Sequence, residues 1–167
     1  IADEFGVKTL AVQCDITSTE AVEAAVDAAL AEFGRIDILI NNAGTGAVAP
    51  AEDITDAQFE NEMQIDLFGS FRMARAVAKK AMIPANYGRI INIASIGAYT
   101  VSPTAAVYCA TKFAVRAISE GLRQEVGGDI RVTLISPGVT ESELAESITE
   151  EGAKAAMADF RRIAIPA

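Results

Sequence analysis

Apolar runs of strand length alternate with segments of helical period along this chain. The first run, residues 7–14, holds Val7, Leu10 and Val12 and stops at Asp15, which predicts a β-strand. Thr17 precedes Glu20 by three, the spacing of a capping box, and Val22, Val26, Leu30 and Phe33 then recur on one helical face. Gly34 supplies the C-terminal stop. A second strand is expected over 36–40, running into Asn41-Asn42-Ala43-Gly44. Beyond a loop with Gly46 and Pro50, Thr55 and Gln58 repeat the capping-box spacing. A long helix is expected from there to about residue 82, with Gly69 inside it. Gly88 precedes a third strand over 89–94, residues 95–104 read as a loop, and 105–126 as a helix. The fourth strand, 130–135, closes on Ser136-Pro137-Gly138, and two short helices are expected over 141–148 and 151–161. Strands that alternate with helices predict an α/β fold with a parallel sheet. With no repeat and no linker, the 167 residues read as a single domain.

Composition narrows the chemistry. Half of the residues are hydrophobic and 22% are charged, the profile of a soluble globular protein. The net charge of −9, with no run of Lys or Arg, argues against nucleic acid and against an anionic membrane surface as partner. No stretch has the length of a transmembrane helix, and the first residues show neither a basic start nor an apolar signal core. Cys14 and Cys109 stand far apart and form no CxxC pair, so two reduced, buried thiols and a cytoplasmic setting are expected. Histidine is absent from the chain. A Ser-His-Asp triad, a histidine-ligated zinc and a histidine base are therefore excluded within it, and no metal site is expected. Acid–base chemistry must use tyrosine, lysine or carboxylates.

Tyr108 and Lys112 meet that requirement. Four residues apart on a helix, they lie on one face and can share a pocket. A cation beside a phenol favours the phenolate and brings its pKa down from about 10 toward working pH, as a general acid/base without histidine needs. The same spacing also arises on helices with no chemical role. Ser95 ends the third strand, thirteen residues before Tyr108, at the C-terminal strand edge where open α/β sheets bind ligands. A loop serine capping the strand is the plain alternative. Asn41-Asn42-Ala43-Gly44 and Ser136-Pro137-Gly138 sit at the same edge, and each reads alone as a turn. Asp15, ending the first strand, could accept a hydrogen bond from an adenine amine or cap the helix, a role for which Thr17 competes.

In order and spacing these elements resemble the short-chain dehydrogenase/reductase family over essentially the whole chain. The resemblance implies a Rossmann-type doubly wound parallel sheet with helices on both faces, and NAD or NADP as cofactor. It implies hydride transfer between that cofactor and an alcohol or a ketone/aldehyde. Ser95, Tyr108 and Lys112 match the catalytic set. Asn41, Asn42, Ala43 and Gly44 match the motif that stabilises the sheet and borders the cofactor. Pro137, Gly138 and Val139 match the segment along the nicotinamide, with Thr140 or Ser142 near the carboxamide and pyrophosphate, while Asp15 and Ile16 fall near the adenine. The loop 45–52 and the segment 141–160 would shape substrate choice, the acidic Glu141, Glu143 and Glu146 reading as a solvated face. The helices at 56–82 and 105–126 carry a subunit interface in many relatives, so a homodimer or homotetramer is expected. A non-catalytic cofactor-sensing regulator, and a lyase or epimerase on the same scaffold, are the competing readings.

Two departures stand out. Where the family commonly has a catalytic Asn before a Leu-x-Gly step, this chain has Asp66 before Leu67-Phe68-Gly69. The family's Asn is thought to hold a water through its backbone carbonyl at a local helix distortion, a role Asp66 could keep as a fourth catalytic residue. The family's N-terminal Gly-rich turn and its last strand also have no counterpart, which leads us to expect a portion of a longer chain. In the family's strand order, two strands separate residues 7–14 from 36–40, a gap this chain could not close with its own ladder hydrogen bonds.

Overall fold

The computed structural model describes residues 2–46 and 48–140. The short helices expected over 141–148 and 151–161, and Ser142 with them, lie outside these described residues. Three parallel strands, β1 (Ile38–Asn41), β2 (Gly88–Ile93) and β3 (Ile130–Ile135), form a sheet in the order β1-β2-β3. Ile38 pairs with Arg89 and Asn41 with Asn92, while Gly88 pairs with Ile130 and Ile93 with Ile135. Parallel neighbours need long crossovers. These are α3 (residues 56–85) and α4 (Ala106–Glu125), preceded in the chain by α1 (Ala2–Phe5) and α2 (Thr19–Phe33). This is the expected Rossmann-type arrangement of a parallel sheet with flanking helices.

The strands alternate strictly between a covered and an open face. Leu39, Ile90, Val132 and Ile130 pack with Val22 and Val26 of α2 and Ala74, Val77 and Met82 of α3 in the main core. A second cluster joins Ala94, Ala98 and Val115 to Leu67 and Leu134. The alternate positions Ile38, Ile40 and Ile135 are exposed. Among the described residues, the helices thus bury one face. None of these helices is long and apolar enough to cross a membrane.

The strand expected over 7–14 does not form. The segment has no regular secondary structure and pairs with no strand among the described residues, and Val7, Leu10 and Val12 are exposed. A strand exists only through ladder bonds to a neighbour, and apolar content alone cannot supply them. The capping box expected at Thr17 does not form, and a single N-cap bond one residue on replaces it. Ser18 is the N-cap, accepting from the Ala21 N–H at 3.1 Å, while Thr17 donates its own N–H and hydroxyl to Asp15. Gly34, with φ of 74°, ends α2 in the left-handed conformation as expected. Val22 and Val26 are buried and Leu30 packs beside them, whereas Phe33 is exposed beneath the Lys8 ammonium. Of the two cysteines, Cys109 is buried and Cys14 only partly so; both are free thiols.

The capping box at Thr55 and Gln58 is complete in both directions and opens α3. That helix is continuous but not uniformly α-helical. Met63–Gly69 and Ala78–Met82 are π-helical turns, a departure that the 3.6-residue apolar pattern does not announce. π-turns inside helices recur at functional sites, and the first of these carries Asp66.

Candidate functional site

The C-terminal ends of the strands bring the expected site residues to one edge. Ser95 follows β2 and caps a 3-10 turn, Ile96–Ala98, its Oγ accepting the Gly97 N–H at 3.1 Å. The turn is tied to the end of β3 by the Ile96 N–H, which donates to the Pro137 carbonyl at 2.9 Å. Tyr108 lies in the first turn of α4, above Gly97. A β-carbon on Gly97 would sit 3.5 Å from Ser95 Oγ and 3.3 Å from Tyr108 Cε1. Residue 97 thus lies between the half-buried serine and tyrosine, close to both. Gly46 lies on the other edge of the tyrosine, where a β-carbon would be 3.4 Å from Cδ2. Lys112, one turn along α4, places Nζ 5.3 Å from the Tyr108 ring centroid.

Asp66 enters the same cluster from α3. Its side chain is wholly buried and its Oδ2 lies 2.8 Å from Nζ of Lys112, itself only 9% exposed. Oδ1 accepts the Thr45 N–H at 2.7 Å, which fixes the loop that leaves β1. Gly44 runs alongside, so close that a β-carbon there would be 3.4 Å from both Lys112 Nζ and Asp66 Oδ1. Three separate elements, the β1 loop, the π-turn of α3 and the first turns of α4, therefore meet at one buried ion pair.

Beneath this pair runs a chain of buried amides and hydroxyls. Asn41 Nδ2 donates to the Ser70 carbonyl at 3.1 Å and to Asn92 Oδ1 at 2.8 Å. Asn92 Nδ2 donates to Ser119 Oγ at 2.8 Å, and Ser119 donates to the Val115 carbonyl at 2.7 Å. The first Asn of the Asn-Asn-Ala-Gly motif thus locks β1 to α3 and, through β2, to α4. Asn92, Ser119 and Gly97 were not among the residues that the sequence pointed to, and Thr45 and Gly46 were so only as part of the loop 45–52. A buried Asn in an otherwise apolar strand was the available signal for Asn92; the others needed the fold.

The residues expected to border a cofactor form an open ledge. Asn42, Ala43 and Gly44 are exposed past β1, and Gly138 past β3 has nothing within 4 Å of where a β-carbon would stand. Pro137, Val139 and Thr140 are half-buried beside it. Asp15 is exposed, and the two hydrogen bonds from Thr17 hold its carboxyl below the usual range. Ile16 packs its side chain onto Gly69 and presents its carbonyl to Arg72 at 3.5 Å. Bare backbone at Gly44 and Gly138, with the Lys112 ammonium between α3 and the ledge, fits a flat, hydroxyl-bearing dinucleotide laid across the strand ends.

Comparison with known proteins gives the same direction. The family model described as short chain dehydrogenase matches residues 1–153. The chain is 44% identical to D-threitol dehydrogenase of Mycolicibacterium smegmatis over 132 residues, 78% of this chain and 50% of that protein. Among solved structures it resembles a gluconate 5-dehydrogenase from Burkholderia cenocepacia in complex with NADP and tartrate, with 36% identity and a TM-score of 0.76. That match covers 86% of this chain and 56% of the other. An NAD+-bound xylitol dehydrogenase is similar at 37% identity and a TM-score of 0.80, over 89% and 60% of the two chains. The chain thus spans between half and three-fifths of the length of these relatives.

Proposed function

Because this chain belongs to the short-chain dehydrogenase family, we propose that its protein interconverts an alcohol and a ketone or aldehyde with NAD or NADP, using Tyr108 as general acid/base. One observation carries the reading. Ser95 Oγ and the Tyr108 ring flank Gly97 at the sheet edge, with the Lys112 ammonium 5.3 Å from that ring. Asn42, Ala43, Gly44, Pro137, Gly138, Val139 and Thr140 would hold the cofactor, with Asp15 and Ile16 toward its adenine and Lys112 toward its nicotinamide ribose. When bound, the nicotinamide supplies or accepts the hydride. The rest is done by the chain's own groups. Ser95 receives the Gly97 N–H and keeps its hydroxyl proton to donate to the substrate oxygen. Tyr108 gives its phenolic proton to that oxygen in reduction and takes one back in oxidation. Lys112 sets a positive charge 5.3 Å from the Tyr108 ring, and holding both groups beside the reacting oxygen supplies the positional advantage. The relatives named for threitol, xylitol and gluconate share vicinal hydroxyls, so small polyols and hydroxyketones are the first substrates to try. The two free thiols suit a reducing, cytoplasmic setting, and the family resemblance favours a homo-oligomer.

The test is titration of the intact protein with NADH and NADPH, then turnover on polyols and hydroxyketones with and without Tyr108→Phe. Turnover that falls by about 10²–10⁴ in the variant while cofactor binding persists supports the reading. Cofactor binding with no turnover on any substrate would favour a sensing role, and no cofactor binding would remove the proposal.

A further inference from the structure

The ion pair between Asp66 and Lys112 does more than fill a family position. Both oxygens of the Asp66 carboxylate are committed, Oδ2 to Lys112 at 2.8 Å and Oδ1 to the Thr45 N–H at 2.7 Å. An asparagine there could still accept from Thr45 through its own oxygen, but it would bring no charge to Lys112. A lysine standing alone beside a phenol acts on it as a full positive charge. A lysine paired at 2.8 Å with a buried carboxylate acts as the near end of a dipole, and its field at the phenol is correspondingly smaller. Gly44 lines the pair closely: a β-carbon there would stand 3.4 Å from both Lys112 Nζ and Asp66 Oδ1, in van der Waals contact with each.

We propose that Asp66 is a charge-balancing positioning residue: it holds Lys112 against the β1 loop and offsets the lysine charge, so that Tyr108 works as an acid/base at higher pH than it would beside an unpaired lysine. The proposal rests on Tyr108 being the acid/base. The other groups around Tyr108 leave Lys112 and Asp66 in control. Ser95, Gly46 and Gly97 bring no charge. Arg116, the next cation along α4, is engaged with the Ala98 carbonyl and the Tyr99 ring. Glu62, buried one turn before Asp66 on α3, is the same in wild type and in any Asp66 variant.

Two measurements on Asp66→Asn test this. The first needs no turnover. Tyrosine ionisation is followed by ultraviolet absorbance in the cofactor-free intact protein, and Tyr108→Phe in each background isolates the Tyr108 signal from Tyr87 and Tyr99. The expected result is a Tyr108 transition at lower pH in Asp66→Asn than in the wild type. An unchanged transition in a folded variant overturns the proposal. The second is the pH profile of kcat/KM, whose limb assigned to Tyr108 should move the same way and by a similar amount. A uniform fall in kcat/KM with the profile in place would show that Asp66 only props the site. Lack of turnover in the wild type would instead fail the enzymatic reading, leaving the absorbance result to decide the electrostatic one.

Discussion

The two faces of the sheet are built from equally apolar strands, yet they live in different surroundings. On one, Leu39, Ile90, Val132 and Leu134 meet three helices, and the polar Asn41 and Asn92 hydrogen-bond to each other, to the Ser70 carbonyl and to Ser119. On the other, Ile38, Ile40 and Ile135 are left exposed among the described residues. Parallel strands usually read as continuous apolar runs because helices cover both faces. The same isoleucine therefore carries very different weight on the two sides. What distinguishes the faces is not hydrophobicity but whether another element reaches them, and the chemistry collects where three elements do.

Ile90→Ala gives the largest expected effect. Ile90 is fully buried at the centre of β2, so the change removes three carbons from a packed site, at a cost of about 2–5 kcal/mol in urea unfolding. A cost below about 1 kcal/mol would mean that the covered face is loosely packed. Asn92→Ala comes next. It takes away the acceptor of one Asn41 hydrogen bond and the donor to Ser119, both buried, and about 1–3 kcal/mol is expected. Because Ser119 keeps its bond to Val115 and Asn41 its bond to Ser70, the loss should stay within that range.

Much of the covered face was legible in the sequence. The period of Val22 and Val26, the Thr55–Gln58 box, the glycine at 34 and the span 130–135 all rest on local chemistry, and local chemistry survives folding. The set Ser95, Tyr108 and Lys112 was readable because two of its members share a helix turn and the third ends a strand. What the sequence did not show mostly depends on a distant partner. Residues 7–14 have strand composition but no ladder, and the π-turn at Met63–Gly69 has no sequence period of its own. The pairing of Asp66 with Lys112 joins residues 46 positions apart on two helices. Even the start of α2 turned on a competition: Asp15 takes Thr17's hydrogens, and the cap passes to Ser18.

That competition makes a smaller prediction about the helix that roofs the covered face. Ser18→Ala should cost about 1 kcal/mol, the ordinary loss of an N-cap. Thr17→Val, which keeps the shape and removes only an exposed hydroxyl bond to Asp15, should cost about half as much or less. Equal costs in thermal unfolding would mean that the cap is shared between the two residues. Ile40→Thr sharpens the comparison of faces directly. On the described contacts it changes stability by less than about 0.5 kcal/mol. A cost approaching that of Ile90→Ala would show that residues outside the described set cover the open face.

The smallest effect lies on the outer surface of α4, the helix that carries Tyr108 inward. Glu120 accepts from Arg123 Nε at 2.8 Å and Nη2 at 2.7 Å, and from Gln124 at 2.7 Å. The Arg123 hydrogen bonds first, and the Gln124 bond after them, hold its carboxyl down to about 2 from an ordinary 4.5. The sign follows from that depression. The folded state prefers the ionised carboxylate, so the contribution is complete above about pH 4.5 and is lost as pH falls toward 2. Because the pair is exposed, salt should weaken it, and little of it should reach the overall stability. Carbon-detected NMR of the Glu120 carboxyl should show a midpoint near 2, moving up in Arg123→Gln and with added salt. A wild-type midpoint at the ordinary value would mean that the fork between Glu120 and Arg123 is not held in solution. The contrast with Asp66 and Lys112 would then be complete: the same kinds of charge, fixed where three elements close around them and loose where one helix meets water.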